Sequence, residues 1–123
     1  MSAHHPDPAS HRSTVAGDVI GYSFTDTTHA WLGIPYATPP VGALRWRAPK
    51  PHAPWQGVKE CLHFGAMSVQ PKSFMTNSPP EQWNKPIGSE DCLTLNVFAP
   101  KNLPSRPLPV MVWIHGGGNT GGA

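Results

Sequence analysis

Charge is scarce in this chain of 123 residues. Asp, Glu, Lys and Arg make up 13% of it, and nine basic against seven acidic residues leave a formal net charge of +2. No Lys/Arg cluster forms a stripe, which argues against nucleic acid or an anionic membrane as a partner. Cysteine is equally sparse: Cys61 and Cys92 allow one bridge or none, so no disulfide framework can be read. No apolar run approaches the length needed to cross a bilayer. Met1 to Ser13 holds His4, His5, His11, Pro6 and Pro8 but no apolar core segment, so no signal peptide is read and a cytoplasmic protein is expected. Those histidines come without a Cys or carboxylate cluster at ligand spacing. That favours a disordered polar tail over residues 1–13 rather than a metal site, and no cofactor is expected either. Finally, no segment shows ten or more residues of helical apolar period.

What the chain has in quantity is proline (16) and glycine (12), a level that can accompany disorder. Five tryptophans and interspersed apolar runs argue instead for a folded chain dominated by loops and tight turns. Two short apolar pieces in Thr14 to Tyr22 flank Gly17-Asp18 and predict a hairpin turning there. Thr27 to Ile34 is a second strand candidate. The prolines of Thr38 to Pro49 exclude helix and central strand, leaving extended chain with Trp31, Tyr36, Trp46 and Trp55 as packing anchors. Phe64 to Asn84 is irregular. Leu93 to Phe98 alternates strictly, with Leu93, Leu95 and Val97 on one face, and predicts a half-buried strand. Lys101 to Pro109 is a proline-rich connector.

The connector leads into Val110-Met111-Val112-Trp113-Ile114, a short apolar run bounded by Pro109 and by Gly116-Gly117-Gly118. That pattern predicts a strand buried on both faces. Three residues without Cβ leave the backbone bare and permit φ angles that others avoid. Such a loop can bring two N–H donors to one point, which a developing oxyanion requires. His115-Gly116-Gly117-Gly118 after a strand matches the oxyanion-loop signature of lipases and esterases, with an ordinary glycine-rich turn as the alternative. A strand buried on both faces belongs in a parallel sheet covered by helices, and none is supplied here. The fold is therefore expected to be incomplete, with Ala123 a truncation point.

Four landmarks then carry a resemblance. Trp31-Leu32-Gly33-Ile34-Pro35-Tyr36-Ala37-Thr38-Pro39-Pro40-Val41-Gly42 with Leu44-Arg45-Trp46, Trp55-Gln56-Gly57-Val58, Ser89-Glu90-Asp91-Cys92-Leu93-Thr94-Leu95-Asn96-Val97, and Val110 to Gly118 follow one another in order. Together they closely resemble the type-B carboxylesterase/cholinesterase family. The resemblance implies an α/β class chain: the N-terminal portion of an α/β-hydrolase fold over residues 14–123, mostly strands and loops in an incomplete sheet. It implies oxyanion-hole roles for Gly117 and Gly118, an ion pair between Arg45 and Glu90 that locks structure, and an orienting role for His115. Trp83 resembles the position of a choline-binding tryptophan, although a loop-packing role is preferred for it. The partner implied is a small-molecule carboxylic ester; oligomeric state is left open.

Several positions depart from the family pattern. Ser68 stands where a bridging cysteine is common, and Cys61 lies seven residues earlier, which puts the usual disulfide in doubt. Asn119 follows the glycines where an aromatic is common, and Trp31 and Trp46 stand where Phe is common. No serine lies in Gly-x-Ser-x-Gly; Gly21-Tyr22-Ser23-Phe24-Thr25 lacks the second glycine. The expectation is a fragment of a serine carboxylic-ester hydrolase that supplies the oxyanion hole, lacks the triad and is inactive alone. The alternatives are a fragment of a non-catalytic binding or adhesion relative, and a hormone-sensitive-lipase-like hydrolase, against which the Ser-Glu-Asp-Cys motif counts.

Overall fold

The computed structural model describes residues 4–118 and 120–123, with the Met75 side chain outside that description. Met1 to Ala3 of the expected tail and Asn119 of the glycine loop also lie outside it. The described residues contain strands and short 3-10 turns and no α-helix. They form two compact units. One comprises Met1–Thr38, Ala48–Gly65 and Leu93–Pro107; the other comprises Pro39–Arg47, Ala66–Cys92 and Leu108–Ala123.

The first unit holds the apolar core. Strands β1 (Arg12–Thr14) and β2 (Gly17–Ile20) pair antiparallel, with Thr14 opposite Gly17. The turn is therefore Val15-Ala16, not the expected Gly17-Asp18. The Thr14 hydroxyl moves it: its Oγ1 donates to the Gly17 carbonyl (2.7 Å) and accepts from the Ala16 N–H (3.2 Å), closing a two-residue loop. Strand β3 (Tyr22–Ser23) pairs with β4 (Thr28–Pro35), the expected second strand. Strand β5 (Val58–Glu60) runs parallel to β2.

The second unit contains β6 (Gln70–Pro71) and β7 (Pro86–Ile87), a short antiparallel ribbon. Back in the first unit, β8 (Thr94–Pro100) pairs antiparallel with β4, Thr28 opposite Pro100 and Trp31 opposite Val97. The register slips between Trp31 and Ile34. Gly33 explains the slip: at φ +70 its N–H leaves the ladder and donates to Asn96 Oδ1 (2.9 Å). Leu32 turns the other way, donating to the Cys61 carbonyl (2.8 Å) and bridging to Leu62. So β4 touches strands on two sides, and Ala30, Trp31 and Leu32 are all buried, Ala30 and Leu32 with Tyr22 and Leu62, Trp31 with Val19 and Cys61.

Four expectations are corrected here. The chain from Asp7 onward is not a disordered tail. The Asp7 N–H donates to the Gly21 carbonyl, and Asp7 Oδ1 caps a 3-10 turn over Pro8–Ser10. Ser10 is fully buried; its hydroxyl donates to the Asp7 carbonyl and accepts from the Gly21 N–H, and its carbonyl takes the Trp31 indole N–H (2.9 Å). A polar composition hides this docking, because short side chains satisfy the backbone locally instead of burying apolar area. Second, of the four aromatic anchors only Trp31 and Trp55 pack; Trp46 is wholly exposed at φ +57, and Tyr36 is half exposed. Third, the β8 strand forms, but Leu95 and Val97 remain about two-fifths exposed (40% and 39%), so its apolar face is not half-buried against a partner. Fourth, Val110 to Ile114 is neither strand nor buried, with side chains 77–94% exposed. A strand buried on two faces needs a sheet to join and layers over both faces. Among the described residues no strand pairs with this segment and no α-helix is present to cover it.

Candidate active site

The glycine loop lies in the second unit and folds back on itself. Gly117 and Gly118 have φ +135 and +61, backbone regions that side chains with a Cβ resist. The Thr120 N–H and hydroxyl both donate to the Gly117 carbonyl (3.1 and 2.9 Å), which closes the turn. A Cβ on Gly117 would stand 1.7 Å from the Gly121 carbonyl oxygen, and one on Gly122 would stand 2.5 Å from the Gly116 carbonyl oxygen. The returning arm, Gly121-Gly122, is thus pressed against His115, Gly116 and Gly117 at distances only bare backbone allows. Among the described residues, no group accepts a hydrogen bond from the N–H of Gly117 or Gly118. Two unspent backbone donors on consecutive residues can stabilise a negative oxygen that develops between them.

His115 sits beside this turn, exposed, with Nδ1 2.8 Å from the Gly116 carbonyl oxygen, so that Nδ1 carries the proton and donates. That bond fixes the ring against the loop backbone and leaves Nε2 as the acceptor nitrogen of the ring. The far arm is held by Gln70 on β6. Its Oε1 accepts from the Gly122 N–H (2.7 Å), and its Nε2 donates to the carbonyls of Gly122 (3.0 Å) and Ser68 (3.2 Å). The sequence reading missed Gln70. It served there only to mark the position of Ser68 in the family pattern, and its partner lies 52 residues away.

The Arg45–Glu90 pair forms as the resemblance implied. The guanidinium donates through Nε and Nη2 to the two carboxylate oxygens, and the second bond is 2.5 Å. That bidentate bond holds the Glu90 carboxyl below its usual range and raises Arg45. The side chains are 58% and 37% exposed, so the pair is solvated rather than desolvated and acts by geometry within its unit. Trp83 donates its indole N–H to the Ser78 carbonyl (2.8 Å) within its own loop and leaves part of its ring exposed. Cys61 and Cys92 are both free thiols, pushed up in pKa mainly by burial.

Serine, acid and histidine do meet in the first unit, at Ser23, Asp7 and His29. The Ser23 hydroxyl donates to Asp7 Oδ2 (2.5 Å), and His29 Nε2 donates to the same oxygen (3.1 Å). The carboxylate sits in the middle, so the imidazole cannot take the serine proton, and the cluster is a latch, not a triad.

The model of the carboxylesterase family matches residues 9–123. Phenmedipham hydrolase of Pseudarthrobacter oxydans is 46% identical over 105 residues, 85% of this chain and 21% of that protein. Para-nitrobenzyl esterase of Bacillus subtilis (strain 168) is 51% identical over 89 residues, 72% of this chain and 17% of that protein. A solved structure of PNB esterase superposes with a TM-score of 0.78 at 43% identity, covering 94% of this chain and 23% of that one. The chain thus spans about a fifth of the length of the curated relatives it matches. With the fold, the four landmarks and the family match in agreement, the chain carries part of an α/β-hydrolase fold and belongs to the carboxylesterase family.

Proposed function

We propose that this chain is the oxyanion-binding part of a serine carboxylic-ester hydrolase acting on small-molecule esters. The nucleophilic serine and its partners would come from residues outside this chain. Gly117 and Gly118 would donate their N–H groups to the carbonyl oxygen as it gains charge during attack. The observation that carries the reading is the pair of consecutive glycines at positive φ whose N–H groups have no described acceptor. Each such donor, once aimed at the developing oxyanion, typically lowers the barrier by about 3 kcal/mol. Trp83 is given a loop-packing role, its N–H being spent on Ser78. Nothing observed favours a non-catalytic binding module.

The test compares the full-length protein with this chain alone on a simple aryl ester such as 4-nitrophenyl acetate. The full-length protein is expected to turn it over and to release a burst of one nitrophenolate per serine acylated. The isolated chain should not exceed the buffer rate. A full-length protein without turnover, or an isolated chain with it, would overturn the reading.

A further inference from the structure

Among the described residues of the second unit, Gln70 is the one buried residue, 5% exposed. A buried amide is costly to leave unpaired, so what it faces carries information. It faces the returning arm of the glycine loop. Its oxygen accepts from the Gly122 N–H and its nitrogen donates to the Gly122 carbonyl, so the amide grips one residue's backbone at both polar groups. Gly122 in turn has its backbone against Gly116 and His115, and Gly121 has its carbonyl against Gly117. Gln70 is itself fixed twice. It sits opposite Ile87 in the β6–β7 ribbon, and its second N–H is held by the Ser68 carbonyl.

We infer that Gln70 is a positioning residue for the oxyanion loop: it clamps Gly122, and through Gly121 and Gly122 it fixes the backbone orientation of Gly116 to Gly118. The inference rests on the hydrolase reading for its kinetic consequence, but the clamp itself does not. Gln70 touches no reacting atom in this account. Its effect is on how well the two donors are aimed, and an error of about 1 Å in such a site can cost about a hundredfold in rate.

The experiment uses the full-length protein with Gln70→Met, which keeps length and removes both polar groups. Gln70→Glu, which keeps length but loses the donors to Gly122 and Ser68, serves the same comparison should the methionine variant not fold. Lys72→Met is the control. It removes the neighbouring Lys72–Gln82 bond (2.7 Å) on the same segment and leaves the loop untouched. Ester hydrolysis and hydrogen exchange of the 115–123 segment are both measured. For the Gln70 variant, kcat should fall about tenfold to a hundredfold with KM within about threefold. Exchange in 115–123 should rise at least several-fold while β4 and β8 stay protected, and the Lys72 variant should match wild type in both. Unchanged exchange in the loop overturns the clamp. Raised exchange with unchanged kcat overturns its role in positioning. A wild type without ester hydrolysis would remove the hydrolase reading, and the exchange arm would still decide the clamp.

Discussion

Asp7 gathers three donors on one carboxylate: the Ser23 hydroxyl, the Ala9 N–H and His29 Nε2. The Ser23 bond is the largest reason its pKa falls from 3.8 to about 2, with the Ala9 N–H next. A carboxyl depressed in the folded state adds stability above its unfolded pKa and loses it as pH falls through the folded value. Asp7→Asn should therefore be less stable than wild type at pH 5 to 8, and the gap should close as pH drops from about 4 to about 2. Chemical denaturation at a series of pH values reads this directly. A gap that persists undiminished at about pH 2 would mean the carboxylate charge is not what holds the segment. His29 is buried and gives its Nε2 N–H to Asp7, while its Nδ1 has no partner among the described residues. None of this latch was visible in the sequence, because it joins residues 16 and 22 positions apart that show no shared pattern.

At the scale of elements, β4 bears the organisation of its unit, and Gly33 lets it serve β8 and the β5 side at once. A Cβ there would lie 2.6 Å from the His63 carbonyl oxygen, at a φ of +70 that costs non-glycine residues about 1–2 kcal/mol before any clash. Gly33→Ala should destabilise the fold by about 2 kcal/mol or more, measured as a lowered denaturation midpoint; a midpoint within error of wild type would remove this account of the bulge. Strand β4 and strand β8 were legible in the sequence, since eight and seven residues of β-branched and apolar pattern suffice to show them. The hairpin was legible but not its turn, because one Thr14 hydroxyl outweighed the glycine that drew attention. The Arg45–Glu90 pair was legible only through the family landmarks, and its solvated setting was not.

At the scale of the molecule, the same Val110 to Ile114 run that marked the sequence lies exposed. The buried strand expected there does not form, because no described strand pairs with the run. An exposed apolar run of that kind favours association with other surfaces. The glycine loop that follows was legible as a motif, whereas its back-folded shape and its hold on Gln70 arise from packing across 52 residues. The central claim is that the N–H groups of Gly117 and Gly118 bind the oxyanion. The most direct test is Gly117→Ala in the full-length protein, where the new Cβ would stand 1.7 Å from the Gly121 carbonyl oxygen and force the loop apart. The account predicts a kcat lower by about a hundredfold or more with KM changed by no more than about threefold, the mark of an interaction made only in the transition state. A folded Gly117→Ala protein with unchanged kcat would contradict it.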